Sequence, residues 1–419
     1  MRDAGISLYS SEVTVHARTS ADWVRSAIVY EINTRNFSAR GNFDGVVARL
    51  DDLAQLGVTV LWLMPVHPIG VERRKGTLGS PYSVRDYYAI DPSFGTAEDL
   101  KRLVTQAHGL GMRVIIDIVA NHAAWDSVMM EHPEFWRHGP DGSIVSPTPD
   151  WEDVAALDYG SRALRDYMIA MLEYWIREFD LDGFRCDMAG LIPTDFWNEA
   201  RAALERVKPG LFMLAEWHSA DLLVEAFDAG YAWPLHSTLN AVFMDGSSAV
   251  RLRDVWFEEW AALPEGALEL RFTDNHDEKR AIARFGERAA LAASVLMFML
   301  DGIPLLYNGQ EVGDTTESGA PALFEHMPIF WGIEARRTEF RPFYKELIAL
   351  RKTHRALQQG EVVWLDGQDP DRVLRFERRD HDERFSVAIN CSNRPAGNLP
   401  AWGARVIDEA SGRMLLELP

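Results

Sequence analysis

Two side chains of opposite charge, Arg185 and Asp187, close the run Phe179–Phe184 at positions i and i+2. On a β-strand those positions share a face, so a guanidinium and a carboxylate emerge side by side. A neighbouring guanidinium favours the ionised carboxylate, the form that attacks as a nucleophile. The same pair would serve equally as a plain ion pair closing a strand. Two further carboxylates turn the reading towards chemistry. Glu216 ends the apolar run Leu211–Ala215, one strand–helix unit of about 30 residues beyond Asp187. Asp277 follows the run Leu268–Phe272 and lies about two such units further on. Met213, Leu214, Ala215 and Trp217 surround Glu216 with apolar groups, which raises a carboxyl pKa and keeps a proton ready for donation. Asn275 and His276 precede Asp277 and carry groups that can hydrogen-bond sugar hydroxyls. A carboxylate that attacks, opposite one that donates and recovers a proton, is sufficient for glycosyl transfer.

These carboxylates meet only if strand ends are gathered. Ala27–Ile32, Val58–Pro65 and Val114–Val119 read as buried strands. Between them, Val46, Val47, Leu50, Leu53 and Leu56 share one helix face, with Gly57 as a stop. Thr96 and Asp99 open a second helix, whose apolar face is Leu100, Leu103, Val104 and Ala107. Alternating helices and near-continuous apolar strands indicate a parallel sheet buried on both faces. A weaker strand is expected near Tyr231–Leu235, followed by Leu268–Phe272 and Ile303–Tyr307. That makes eight strands, with helix Phe343–Arg351 closing the ring. The fold class is therefore α/β, a (β/α)8 TIM barrel with its active site at the C-terminal strand ends. Between Asn121 and Asp187 only one helix is evident, carried by Leu164, Met168, Met171, Leu172 and Trp175. The surplus, rich in Pro, Gly and aromatics, reads as a short inserted domain after the third strand, lying over the barrel mouth. Beyond Arg351, the runs at Val362, Val373, Phe385, Val406 and Leu415 suggest a C-terminal antiparallel β-sandwich domain. The expected division is residues 1–120 and 160–355 for the barrel, 121–159 for the insertion and 356–419 for the β domain.

The bulk properties remove several classes of function. With 419 residues, 47% hydrophobic and 25% charged, the chain can bury a large core. A net charge of −20 opposes binding to nucleic acid, a polyanion. No apolar run approaches the roughly 20 residues of a membrane span. Met1–Thr19 lacks a basic region followed by an apolar core, so no signal peptide is expected. The only cysteines are Cys186 and Cys391, and Cys186 sits between two site residues. That disfavours a disulfide framework, makes a cytoplasmic location the expectation, and leaves Cys186 as a buried, inert thiol in the barrel wall. Trp125, Trp136, Trp151, Trp217 and Trp331 fall on presumed mouth loops, and two or three of them are expected to stack on sugar rings.

Six segments, in order, resemble the α-amylase family of retaining glycoside hydrolases, glycoside hydrolase family 13. They are Ser80-Pro81-Tyr82 with Asp86-Tyr87 and Ile90–Thr96, then Asp117–His122, Gly183–Asp187, Ala215-Glu216-Trp217, Phe272–Asp277 and Gly302–Glu311. A blurred further segment, Val154–Asp158, is also similar. The resemblance implies Asp187 as nucleophile, Glu216 as acid/base and Asp277 as stabiliser of the distorted, oxocarbenium-like sugar. It implies Arg185, His122 and His276 around the innermost sugar, Tyr82 stacked on it and Trp217 beside it. It implies an α-glucan or malto-oligosaccharide substrate, hydrolysed by double displacement. The chain departs from the pattern at Met188–Leu191, where many α-amylases carry a Lys-His pair whose histidine helps hold calcium. Calcium takes six to eight oxygen ligands; Asn121 is the one candidate here, and the chemistry itself requires no cofactor. The alternatives are an α-glucan transglycosylase of 4-α-glucanotransferase type, in which a sugar hydroxyl replaces water, and a non-catalytic relative acting as a binding subunit. All three carboxylates are present, which disfavours the second. A barrel enzyme built on a phosphate site is also disfavoured, since no Gly-rich loop lies near the eighth strand.

Overall fold

The computed structural model describes residues 14–419; the first thirteen residues of the expected N-terminal preamble lie outside the described residues. Eight parallel strands close a barrel: Val29–Ile32, Val60–Leu63, Arg113–Val119, Gly183–Asp187, Phe212–Ala215, Ala229–Tyr231, Leu268–Arg271 and Ile303–Tyr307. The first strand pairs with both the second and the eighth, which leaves no edge. Every residue of the first, second, fourth, fifth and eighth strands is buried, as expected of strands covered on both faces.

Local chemistry sets the connections. Asn42 caps helix Phe43–Val47, and Leu50–Leu56 ends at Gly57, held left-handed at φ 103°. Thr96 and Asp99 form the expected capping box at the start of Ala97–Gly109. Helix Arg162–Phe179 turns Leu164, Met168, Met171, Leu172 and Trp175 inward as the periodicity predicts. Gly183 opens the fourth strand at φ 147°, where an added Cβ would fall 1.9 Å from the Phe212 carbonyl oxygen. Only glycine allows the fourth and fifth strands to approach so closely there.

The expected strand at Tyr231–Leu235 is displaced. The sixth strand ends at Tyr231, and helix Trp233–Asp245 begins two residues later with Pro234 in its first turn. Proline suits that position because its missing N–H has no helical partner, and one continuous apolar run had hidden the change of element. The segment between the third strand and Arg162 forms an antiparallel hairpin, His122–Ala124 with Val154–Ala156, plus two short 3-10 turns. At the C-terminus the expected sandwich is a single five-stranded antiparallel sheet running in chain order from Glu361 to Leu418. Its second layer is the barrel itself. Arg378, on this sheet, donates to the Met299 carbonyl at 2.7 Å, and Arg351 binds the carbonyls of Phe298, Leu300 and Gly302. Both cations sit at the C-terminal end of helix Glu287–Met299, where the helix dipole favours them.

The barrel lumen has two levels. Below, Val24, Val29, Val60, Ile115, Phe212, Leu214, Leu270, Ile303 and Leu305 form one dry apolar cluster. Above, the next inward-facing positions on the first, third and fifth strands, after Val29, Ile115 and Leu214, are charged.

Candidate active site

Alternation along the strands raises the charged layer. Glu31 stands two residues after Val29, Asp117 two after Ile115, and Glu216 two after Leu214. On the fourth strand Arg185 and Asp187 share the inward face, while Phe184 and Cys186 join the outer core. Asp117 is the register partner of Arg185 on the neighbouring strand.

Arg185 is fully buried and spread over three carboxylates rather than reserved for Asp187. Its Nη1 donates to Asp117 Oδ1 at 2.8 Å and to Asp187 Oδ1 at 3.1 Å, and its Nη2 lies 2.9 Å from Glu216 Oε1. Its Nε reaches the Tyr231 hydroxyl at 3.3 Å. One guanidinium cannot neutralise three buried carboxylates. Burial lifts Asp187 well above the usual carboxylate range, and the nearby Glu216 adds to the lift against Arg185. Burial raises Glu216 too, with Arg185 opposing and Asp277 assisting. The dyad therefore holds its proton more tightly than free carboxyls do and titrates as a pair. Glu216 Oε2 also accepts the Met188 amide at 2.9 Å. Met188 adopts the left-handed conformation at φ 47°, uncommon for a side chain of its size, and this turns its N–H onto the carboxylate.

The opposite wall is organised by His276. Its Nδ1 meets Glu31 Oε1 at 2.5 Å; its Nε2 lies 3.1 Å from Asp277 Oδ2 and 2.7 Å from the Tyr82 oxygen. Burial works against a charged imidazole, but Asp277 and Glu31 outweigh it and hold His276 well above its ordinary value. Burial likewise opposes ionisation of Asp277, and His276 more than compensates, so that carboxyl falls below its ordinary value. The Asp277 side chain keeps 42% of its surface open, facing the cavity. The Tyr82 hydroxyl donates to Asp117 Oδ2 at 3.0 Å, and burial keeps it protonated. His122 is buried and its imidazole is pulled down to about 4, so it is neutral and free to exchange hydrogen bonds with a hydroxyl.

Tyr82, His122, Asp187, Glu216, His276 and Asp277 line one cavity of about 270 Å3. Arg185 lies behind that lining and acts through the carboxylates. Trp217 is not brought to the cavity; its indole packs over Gly190, where an added Cβ would come within 2.2 Å of the ring. Of the five mouth tryptophans only Trp151 lines the cavity, with its ring 5.3 Å from that of His122. Trp136 is buried in the core, Trp125 is covered by Arg73, and Trp331 packs between Phe37 and Arg49. Loop position therefore overstated their role. Lys75, Ser80, Asp153, Val154, Met188 and Phe324 complete the lining and were not anticipated as site residues. Glu31 and Asp117 were also missed as site residues, although each shows the signal of an acidic side chain inside a buried apolar strand. The Asn121 amide nitrogen faces His122 Nδ1 at 3.2 Å, and among the described residues no three His, Cys, Asp or Glu side chains gather where a metal could sit.

The family is decided by comparison with known proteins. A family model described as "Alpha amylase, catalytic domain" matches residues 17–135 and 149–340. The chain belongs to the α-amylase family of glycoside hydrolases. The break between the matched segments falls within the hairpin excursion over the barrel mouth. A cyclomaltodextrinase of Geobacillus thermopakistaniensis is 30% identical over 423 residues, 90% of this chain and 70% of the relative. An intracellular maltogenic amylase of Bacillus subtilis is 31% identical over 360 residues, 81% of this chain and 60% of the relative. Among solved structures, the maltogenic α-amylase AmyB of Thermotoga neapolitana superposes with a TM-score of 0.83 at 32% identity, covering 92% of this chain and 89% of that one. An α-amylase of Lactobacillus plantarum gives 0.80 at 34% identity, covering 87% and 88%. The longest helices of this glycoside hydrolase include none long and apolar enough to cross a membrane, among the described residues.

Proposed function

We propose that this α-amylase family member hydrolyses α-glucosidic bonds of malto-oligosaccharides or related α-glucans with retention of anomeric configuration. The observation that carries this reading is the convergence of Asp187, Glu216 and Asp277 on one cavity, two of them bound by the same guanidinium. Asp187, deprotonated, attacks the anomeric carbon while Glu216 donates its proton to the departing oxygen; a water activated by Glu216 then releases the sugar. Retention calls for carboxyl groups about 5–5.5 Å apart, rather than the wider gap that houses a water in inverting enzymes. The shared Arg185 supports the closer spacing. Asp277, ionised beside His276, would hold the hydroxyls of the reacting sugar.

The charge balance supports a cationic transition state. Among the described residues, five carboxylates, those of Glu31, Asp117, Asp187, Glu216 and Asp277, share two cations, Arg185 and His276, while Lys75 of the same lining is paired with Asp153 at 2.9 Å. A pre-set excess of negative charge in a water-poor site stabilises developing positive charge on the sugar. The names cyclomaltodextrinase and maltogenic amylase among the relatives support small α-glucans as substrates.

Product and anomer analysis on maltose, maltotriose, isomaltose, pullulan and starch tests the proposal. The expected result is shorter α-products from maltotriose, abolished by Asp187→Asn. β-Configured products would overturn retention, and products longer than maltotriose would replace hydrolysis by transglycosylation.

A further inference from the structure

Beside the catalytic cavity, at the same end of the barrel, lies a second cavity of about 350 Å3 lined by Arg35, Arg40, Gly41, Ile69, Arg74, Leu78, Asp91, Ser93 and His326. Its walls come from the segments following the first, second and eighth strands. No aromatic ring of the kind that stacks on a neutral sugar lines it. Three guanidinium groups do, in a chain with 63 acidic and 43 basic side chains. Neighbouring arginines take carboxylate partners: Arg49 pairs with Asp52 at 3.3 Å and Arg85 with Asp126 at 3.6 Å. Among the described residues Arg35, Arg40 and Arg74 form no ion pair.

What holds them is neutral. Arg35 donates from Nη1 alone, to the carbonyls of Gly79 and Leu323 at 3.0 and 2.9 Å. Arg74 donates from Nε to Gly70 and from Nη2 to Ile69, at 2.8 and 3.2 Å. Among the described residues the remaining donors on both side chains have no protein partner, and Arg40 has none. The one carboxylate in the lining, Asp91, is turned to the amide and hydroxyl of Ser93 at 2.8 and 2.6 Å. Glu325 lies outside the lining and accepts the Thr77 amide at 2.9 Å. Burial pulls the Arg35 guanidinium below its ordinary value, and Arg74 adds to the pull against Asp91 and Glu325.

We infer that this cavity binds a phosphate dianion, either free or as a sugar phosphomonoester, and that its occupancy adjusts the wall of the catalytic cavity. Three guanidinium charges against Asp91 leave two uncompensated, the charge a phosphomonoester approaches at neutral pH. Planar guanidinium groups with unused donors are suited to phosphate oxygens. The coupling follows from shared walls. Arg74 and Leu78 line the phosphate cavity, while Lys75 and Ser80 of the same loop line the catalytic one; His326 and Phe324 divide in the same way. The two loops are tied by the Leu78 amide, which donates to the Phe324 carbonyl at 3.0 Å.

Calorimetric titration of the full chain with inorganic phosphate, glucose 6-phosphate and glucose, at constant ionic strength in a chloride buffer, tests the site. Saturable one-site binding of phosphate is expected, with no competition between glucose and phosphate. Arg40 is exposed and forms no hydrogen bond or ion pair among the described residues, so Arg40→Ala should fold normally and weaken phosphate binding about tenfold, the loss expected for a charged hydrogen bond. Tighter binding of glucose 6-phosphate assigns the site to phosphorylated sugars; equal or weaker binding assigns it to free phosphate. The KM for maltotriose should move by at least about twofold on saturation and stay still in Arg40→Ala. Absence of saturable binding below about 10 mM, or binding unchanged in both Arg40→Ala and Arg74→Gln, overturns the site. A KM indifferent to bound phosphate overturns the coupling.

Discussion

The lower and upper levels of the barrel lumen are built by the same strands with the same inward alternation, yet they obey opposite rules. Below, Val29, Val60, Ile115, Phe212 and Ile303 fill a dry interior and are fully buried. One inward step above Val29, Ile115 and Leu214 stand Glu31, Asp117 and Glu216, nearly as buried and charged, with the buried Arg185 beside them on the fourth strand. Apolar burial stabilises the fold in proportion to area. Burying charge costs free energy that partners recover only in part. The comparison teaches that stability and chemistry are separated in this barrel by one alternation of the strand, about two residues.

The largest test of that separation is Asp187→Asn. Loss of the attacking carboxylate is expected to lower kcat/KM on maltotriose about 10^4-fold or more. Stability should move the other way. A carboxyl whose pKa is raised in the folded state favours folding below its unfolded value, and that contribution is lost as pH rises through the folded value. Asp187 is raised, so at neutral pH its charge works against the fold. Thermal unfolding should therefore show an unchanged or higher Tm, and a clear drop in Tm would break the comparison.

Arg185→Met probes the same layer from the opposite sign. It leaves the carboxylates of Asp117, Asp187 and Glu216 facing one another without their cation. Removing one partner of a buried ion pair costs roughly 3–5 kcal/mol, readable by denaturant unfolding at pH 7. In the lower layer, Ile303→Ala should cost about 2–5 kcal/mol by leaving a cavity, while kcat/KM per folded molecule stays within about threefold at 25 °C. A loss of activity without a loss of stability there would show that the layers are not separate.

Much of this division was legible in the sequence, because a parallel barrel writes its strands as continuous apolar runs. The spacing from Asp187 to Glu216 to Asp277 follows from one strand–helix unit repeating, so barrel closure could be read before any contact was known. The sixth strand could not be placed, since Ala229–Tyr231 is three residues long and flows into the apolar helix opened by Trp233. The tryptophans misled for another reason. A loop residue faces the cavity or the core according to the path of its loop, which periodicity does not encode; Trp217 turned onto Gly190 and Trp136 into the core. Sharing of Arg185 among three carboxylates depends on register between strands distant in sequence, which local pattern does not carry.

The smallest expected effect sharpens the comparison within the charged layer. Glu31 is not itself part of the cavity lining and reaches it through His276 Nδ1. Glu31→Gln keeps the shape and removes one of the two charges that raise the imidazole, leaving Asp277 alone to hold it. A histidine whose folded pKa is raised contributes stability that is full below its unfolded value of about 6.5 and is lost as pH rises through the folded value. The penalty for Glu31→Gln should therefore be larger at pH 6 than at pH 10. Chemical unfolding of both proteins at the two pH values measures it. An equal penalty at both would mean that Glu31 supports the wall by packing and not by charge, and the upper layer would then contain one residue that follows the rule of the lower.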